Sequence, residues 1–116
     1  MIDGPLRKDT TFSQDLSAAA LSKTVTFTRP RSLHEILINF DANVTETITI
    51  TKNLAVGANY KTVLDEMDLV SEDEYTFRPQ GKCDFQIGDG VTVACTNANG
   101  TGTAYGTIKV RETYQN

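Results

Sequence analysis

The sequence has no tryptophan, one histidine and two cysteines among 116 residues. With His34 as the only histidine, the chain shows neither the four ligands of a zinc site at a recognisable spacing nor a Ser-His-Asp triad. It also lacks a Gly-x-Ser-x-Gly elbow and both glycine-rich phosphate-binding patterns. We therefore expect a protein that is not an enzyme, with no catalytic residues, no metal and no cofactor.

Clustered basic residues and long apolar runs are also missing. The formal net charge is -4, and the 11 lysines and arginines are scattered along the chain, whereas a nucleic-acid surface needs them grouped. No apolar run approaches the ~20 residues of a membrane span. The first residues do not show a basic leader followed by an apolar core. We expect no nucleic-acid partner, no membrane partner and synthesis in the cytoplasm.

The chain does contain segments, recurring from residue 23 onward, in which apolar and polar residues alternate. Isoleucine and threonine alternate through residues 46–52, and the same period of two recurs through residues 23–28, 35–40, 75–77, 83–87, 91–95 and 104–111. Alternation at this spacing is typical of a sandwich or barrel. We predict one all-β domain, an antiparallel two-sheet β-sandwich of jelly-roll type. Residues 60–67 remain open between a strand and a short helix.

The segment from Cys83 to Val110 predicts three strands joined by two tight turns. A three-residue loop, Gly88-Asp89-Gly90 with Gly90 in the left-handed region, would place all the apolar residues on one face. Its register sets Ile87 opposite Val91, Phe85 opposite Val93, and Cys83 opposite Cys95. A two-residue Asp-Gly turn would instead set Phe85 opposite Ala94, which mixes the faces. Residues 97–102 supply the second turn.

The two cysteines are expected to be reduced core residues. Cytoplasmic synthesis keeps thiols reduced, and a free cysteine is often buried. The expected cross-strand distance between Cys83 and Cys95, about 4.5 to 5.5 Å between Cβ atoms, is mostly longer than a disulfide prefers.

Residues 1–22 differ from the rest and predict an N-terminal arm, with the β-sandwich domain at 23–116. One interpretation is a frayed chain end; the other is an arm whose apolar residues dock on a neighbouring subunit and become ordered there. The arm hypothesis assigns partner binding to Leu6, Phe12, Leu16 and Leu21. Arg29 and Arg31, which flank Pro30, are further candidates for contact with an acidic partner, although exposed loop charges are the simpler interpretation.

Six carboxylates are concentrated between residues 65 and 74: Asp65, Glu66, Asp68, Glu72, Asp73 and Glu74. The spaced Asp-x-Asp-x-Asp-Gly pattern of a calcium loop is absent, which favours a solvated acidic face. The four tyrosines could line a ligand patch or simply pack at strand edges; they are Tyr60, Tyr75, Tyr105 and Tyr114. Without tryptophan, they make a poor platform for a sugar.

The run YTFRPQGKCDFQIGDGVTVACTNANGTGTAYGTIKV resembles small β-sandwich structural proteins of tailed bacteriophages. The resemblance lies in a strand ending in aromatic-Arg-Pro, a Gly-Asp hairpin and a Cys-Thr-Asn turn, and it covers residues 55–110 best. It implies a non-enzymatic virion component, most specifically a capsid decoration (cement) subunit that contacts the major capsid protein. A head-to-tail connector, tail or fibre component is the alternative, and a carbohydrate-binding module is the second. The resemblance also implies a homo-oligomer, such as a trimer, located in the virion.

Overall fold

The computed structural model describes residues 7–98 and 100–112, and within them it contains nine β-strands and no helix. The strands are β1 Arg7–Asp15, β2 Ser22–Thr26, β3 Arg31–Val44, β4 Thr47–Asn53, β5 Lys61–Asp68, β6 Glu72–Phe77, β7 Asp84–Phe85, β8 Gly90–Cys95 and β9 Thr103–Glu112. The segment left open at residues 60–67 is thus mostly strand β5.

The strands form two antiparallel sheets. The first has the order β1-β9-β3-β6, with the short β7 also paired to β3, and the second has the order β2-β8-β4-β5. The chain can be followed as one long hairpin whose tip is the β4–β5 loop and whose arms pair β4 with β5, β3 with β6, β2 with β8 and β1 with β9. Successive pairs fall in alternate sheets, which is the double-sheet arrangement of a jelly roll. The predicted jelly-roll-like sandwich is confirmed.

The core is formed by the alternating residues of the four central strands. They are Ile36 and Ile38 on β3, Ile48 and Ile50 on β4, Val91 and Val93 on β8, and Ile108 and Val110 on β9, each at most 2% exposed. Branched aliphatic side chains suit a pleated sheet with one buried face. Burial of each stabilises the fold by about 1.5–3 kcal/mol.

The predicted hairpin around Gly88-Asp89-Gly90 is wrong. Strand β7 pairs with β3 in the first sheet, while β8 pairs with β2 and β4 in the second, so this connection crosses the sandwich. The positive φ of 90° belongs to Gly88 and not to Gly90, and Ile87 is exposed. Alternation specifies which face of a strand is buried, but both sheets bury their faces in one core, so it does not specify the partner strand.

The second predicted turn is corrected for the same reason. Residues 96–102 also cross between sheets, because β9 pairs with β1 and β3 instead of with β8.

Cys83 and Cys95 do not face each other, because the strand pairing that would place them opposite does not form. Both are free thiols; Cys95 is buried in the core and Cys83 is half-buried at its border. Burial raises the pKa of the Cys95 thiol to about 11, and it raises the pKa of Cys83 as well.

The predicted boundary after residue 22 is also corrected. Strand β1 pairs with β9 continuously, from Arg7 opposite Arg111 to Asp15 opposite Thr103. The ring of Phe12 lies over Gly106, where any Cβ atom would overlap it. Residues 7–22 therefore belong to the sandwich. Sequence reasoning missed β1 because an outer strand with a mostly polar sequence gives little hydrophobic alternation.

Candidate interaction surfaces

The residues predicted to bind a partner do not form one surface. Leu6 lies outside the described residues. Leu16 and Leu21 are 0% and 3% exposed in the chain's own core, and Phe12 packs against that core. They close the edge of the sandwich where the chain passes from β1 to β2, so they are not available to a groove on another subunit.

Arg29 and Arg31 interact with the chain itself. The Arg29 guanidinium Nη1 donates to Glu112 Oε1 at 2.8 Å, and Arg31 Nη1 lies 3.9 Å from the same oxygen. The side chain of Arg31 is mostly buried, whereas that of Arg29 is 67% exposed. Exposed ion pairs of this kind contribute at most about 1 kcal/mol. Both arginines are therefore paired with Glu112, the last residue of β9.

The most distinctive surface is an apolar patch at one end of the sandwich. Half of the large apolar side chains that are exposed in the described part of the chain lie there; they are Leu54, Val56, Tyr60 and Ile87, and we call this patch the apolar tip. The first three belong to the β4–β5 loop. Ile87 joins them because the neighbouring Gly88 packs against Ala55 so closely that a Cβ atom would lie 2.9 Å from the Ala55 Cβ.

Asp89 organises the loops that carry the apolar tip. Its buried carboxylate accepts hydrogen bonds from the Ala55 and Gln86 backbone N–H groups, each at 2.9 Å. Its backbone carbonyl accepts one from the Phe27 N–H at 2.8 Å. One residue thus ties together three connections between strands, and a surface held in this way loses less entropy on binding. The sequence showed Asp89 only as a turn residue between two glycines.

Glu46 has the corresponding role at the opposite end. Its Oε1 accepts hydrogen bonds from the Thr96 hydroxyl and the Ala98 N–H, each at 2.8 Å, and its carbonyl accepts one from the Leu69 N–H at 2.7 Å. This end exposes fewer large apolar side chains; among the described residues they are Val70 and, nearby on β5, Met67. The two ends are therefore built alike but differ in the number of apolar side chains that they expose.

The β5 and β6 strands carry the acidic residues along one side of the sandwich. Five of the six carboxylates are exposed, as predicted for a solvated face, while Asp65 is half-buried. Asp65 Oδ2 accepts a hydrogen bond from the Tyr75 hydroxyl at 2.6 Å. Burial, followed by this carboxylate, raises the pKa of Tyr75 well above its usual range. Tyr75 is therefore a structural donor and does not act as an acid or base at neutral pH.

The groove between β5 and β6 measures roughly 520 Å³ and includes Cys83. A thiol with a raised pKa is a weak nucleophile near neutral pH. Within residues 7–98 and 100–112, no three His, Cys, Asp or Glu side chains are grouped so that they could hold a metal ion. In the same residues, no helix is long and apolar enough to cross a membrane.

The tyrosines predicted as a ligand patch are separated. Tyr60 lies on the apolar tip, Tyr75 is buried on the inner face of β6, and Tyr105 is exposed on the outer face of β9. Tyr114 lies outside the described residues. They do not combine into a sugar-binding platform.

Glu35 has two cationic partners on the outer face of the first sheet. Arg78 Nε donates to its Oε2 at 2.6 Å, and Lys109 Nζ lies 3.5 Å from its Oε1. The hydrogen bond from Arg78 and the nearby lysine hold the pKa of Glu35 below its usual value. The two cations outnumber the single carboxylate, so these three side chains together carry a net charge of +1.

Comparison with known proteins identifies the fold. No protein-family model and no curated protein matches the sequence. A chain in the structure of infectious bursal disease virus, Gx strain, superposes with a TM-score of 0.52 at 13% identity, over 95% of this chain and 32% of that one. The present chain thus spans about a third of the length of that viral chain.

Two further solved structures are also similar. One is the extra small virus particle of the giant freshwater prawn Macrobrachium rosenbergii, with a TM-score of 0.39 at 15% identity, over 99% of this chain and 84% of that one. The other is the D431N mutant VP2 protein of infectious bursal disease virus, with a TM-score of 0.27 at 10% identity, over 95% and 40%.

Proposed function

We propose that this chain is a non-enzymatic structural protein of a tailed bacteriophage virion, most specifically a decoration (cement) subunit that binds the major capsid protein. The observation that carries the proposal is the rigid apolar tip on a jelly-roll domain. Further support comes from the fold shared with a chain of infectious bursal disease virus and from the sequence resemblance to phage β-sandwich proteins. In this proposal the protein is made in the host cytoplasm and resides in the virion.

The apolar tip is the surface that we assign to the capsid contact. Val56 and Ile87 are 75% and 64% exposed, so their burial against a partner would contribute on the order of 1–2 kcal/mol each. Apolar side chains that are grouped in one exposed patch typically mark an interaction site, whereas single scattered ones are normal on a protein surface. One such contact is weak, but linked copies of the subunit would bind a repeating lattice by avidity.

A co-sedimentation experiment tests this assignment. Phage heads that lack the protein are incubated with the parent chain, with a Val56→Asp/Ile87→Asp double variant, or with a Val70→Asp control. Val70 is exposed to a similar extent but lies at the opposite end of the sandwich. We expect the double variant to lose binding and the control to keep it, while urea unfolding confirms that all three are folded.

The same experiment separates the proposed positions in the particle. Purified tails are offered beside heads, and binding to tails alone would support a connector, tail or fibre component instead of a decoration subunit. Equal binding by the parent and the tip variant would overturn the assignment of the tip.

A further inference from the structure

The outer strands of the two sheets differ in how they are protected against pairing with another chain. Proteins protect such edges with short strands, bulges or charges that point toward the core. In β5, the register shifts between Ile50 and Thr51, and Asp65 lies opposite the buried Ile50. In β6, the pairing with β3 is interrupted between Asn39 and Val44, and three consecutive carboxylates occupy its start.

The remaining outer strands complete the contrast. Strand β2 has five residues and places Lys23 opposite the buried Val93. Strand β7 has two residues. Strand β1 has nine residues in uninterrupted register with β9. Among the described strands, β1 alone offers a long and regular free edge.

The hydrogen bonds of β1 show which backbone groups face that free edge. Leu16 follows the Asp15–Thr103 pair, and its N–H donates to the Gly102 carbonyl at 2.9 Å. In an antiparallel ladder, hydrogen-bonded pairs alternate with non-hydrogen-bonded pairs. The even-numbered residues of β1 therefore bond to β9, and the odd-numbered residues direct their N–H and C=O groups outward. Asp9, Thr11 and Ser13 are the central residues of this open edge.

We infer that β1 of a second copy of this chain covers the edge, antiparallel and related by a twofold axis at Thr11. This register sets Thr11 opposite Thr11 and Asp9 opposite Ser13, and it pairs outward-directed residues only with one another. It overlaps the full strand, which allows about ten main-chain hydrogen bonds. The first sheet then continues through both copies.

The neighbouring registers are less favourable. Pairing about Phe12 would place Asp9 opposite Asp15, and like charges directly opposed destabilise a strand pair. Pairing about Thr10 shortens the overlap. The sequence of β1 is therefore self-complementary in one register, which favours a second copy over an unrelated strand.

The role of this dimer in a virion rests on the proposed function. A twofold pair supplies two apolar tips to one lattice. The dimer itself is tested in solution, without particles.

Sedimentation equilibrium of the isolated chain tests the pairing. We expect a concentration-dependent dimer for the parent, and monomers for Thr11→Lys, which opposes like charges at the axis, and for Thr11→Pro, which removes an outward N–H. The control is Thr107→Lys, because Thr107 is the neighbour of Thr11 on β9 and does not lie at the edge. This control should remain dimeric. Urea unfolding of each variant confirms that the fold is intact.

Spin labels at the same two positions test the geometry. With strands about 4.8 Å apart, the two copies of residue 11 lie about one spacing apart and the two copies of residue 107 about three, or roughly 14 Å. Strong dipolar broadening is expected at position 11 and weak broadening at position 107. A monomeric parent, a trimer, or a dimer that tolerates both Thr11 substitutions would overturn the pairing. The co-sedimentation result for the tip variant bears on the proposed function alone and does not affect this outcome.

Discussion

The packing of Phe12 over Gly106 allows the position of β1 to be tested directly. A methyl group introduced by Gly106→Ala would overlap the Phe12 ring. Gly106 lies in the middle of β9, where β3 pairs on its other side, so its backbone has little freedom to move away. The ring or the whole of β1 would have to shift.

The magnitude follows from two opposing effects. Overpacking a core position typically costs about 1–3 kcal/mol, whereas replacing a glycine inside a strand with alanine gains roughly 0.5–1 kcal/mol of conformational entropy. We therefore expect Gly106→Ala to lower the free energy of unfolding by about 1–2 kcal/mol in the parent. In a Phe12→Ala background the overlap is gone, and Gly106→Ala should be neutral or slightly stabilising.

A double-mutant cycle measured by urea unfolding provides the assay. The glycine entropy gain cancels in the cycle, so the two substitutions should show a coupling energy equal to the overpacking cost, about 1–3 kcal/mol. Hydrogen exchange of the β1 amides should become faster in Gly106→Ala. In the outer-face control Thr107→Ala it should stay at the parent's rate. If the effects of Phe12→Ala and Gly106→Ala on the free energy of unfolding were additive, the packing of β1 against β9 would be refuted and the N-terminal arm hypothesis would be favoured.

Three further predictions concern the polar and sulfur groups. Asp89→Ala leaves two backbone donors without their partner, so urea unfolding should show a loss of about 2–5 kcal/mol, and particle binding should weaken because the tip is released. Because Arg78 lowers the pKa of Glu35, that carboxylate stabilises the fold above its unfolded pKa of about 4.3. This contribution disappears as the pH falls through the lower folded pKa; Arg78→Gln should therefore flatten the acid limb of stability against pH, and an unchanged limb would contradict the assignment. Thiol titration at pH 8 should modify Cys83 before Cys95, both slowly, and denaturant should equalise their rates; faster reaction at Cys95 would contradict its burial.

The all-β class and the jelly-roll-like sandwich could be predicted from the sequence because alternation reports directly on a face buried in a core. The residues Ile48 and Ile50 show this most clearly, since both are fully buried. The partner of each strand could not be predicted in the same way. Phe85 and Val93 do face one core, but from opposite sheets, and their alternation is compatible with either arrangement.

The candidate surfaces were less accessible to sequence reasoning. Leu16 and Leu21 looked like docking residues because their spacing is irregular, yet irregular spacing is also what a core-filling connection between strands requires. The apolar tip depends on Ile87 meeting the β4–β5 loop, about thirty residues earlier in the chain. The pairing of β4 with β8, the contact of Gly88 with Ala55 and the hydrogen bonds of Asp89 bring those segments together.

The pairing of β1 with β9 has a consequence for synthesis of the protein on the ribosome. Arg7 and Arg111 are opposite each other but 104 positions apart in the chain, as the difference 111 − 7 gives. At a translation rate of about 5–20 residues per second, β1 is exposed for roughly 5–20 s before its ladder partner has been made. A chain interrupted before β9 would leave β1 without its place in the sheet. The edge proposed for dimerisation therefore forms last, so that nascent and truncated chains do not present it in the orientation that a second copy recognises.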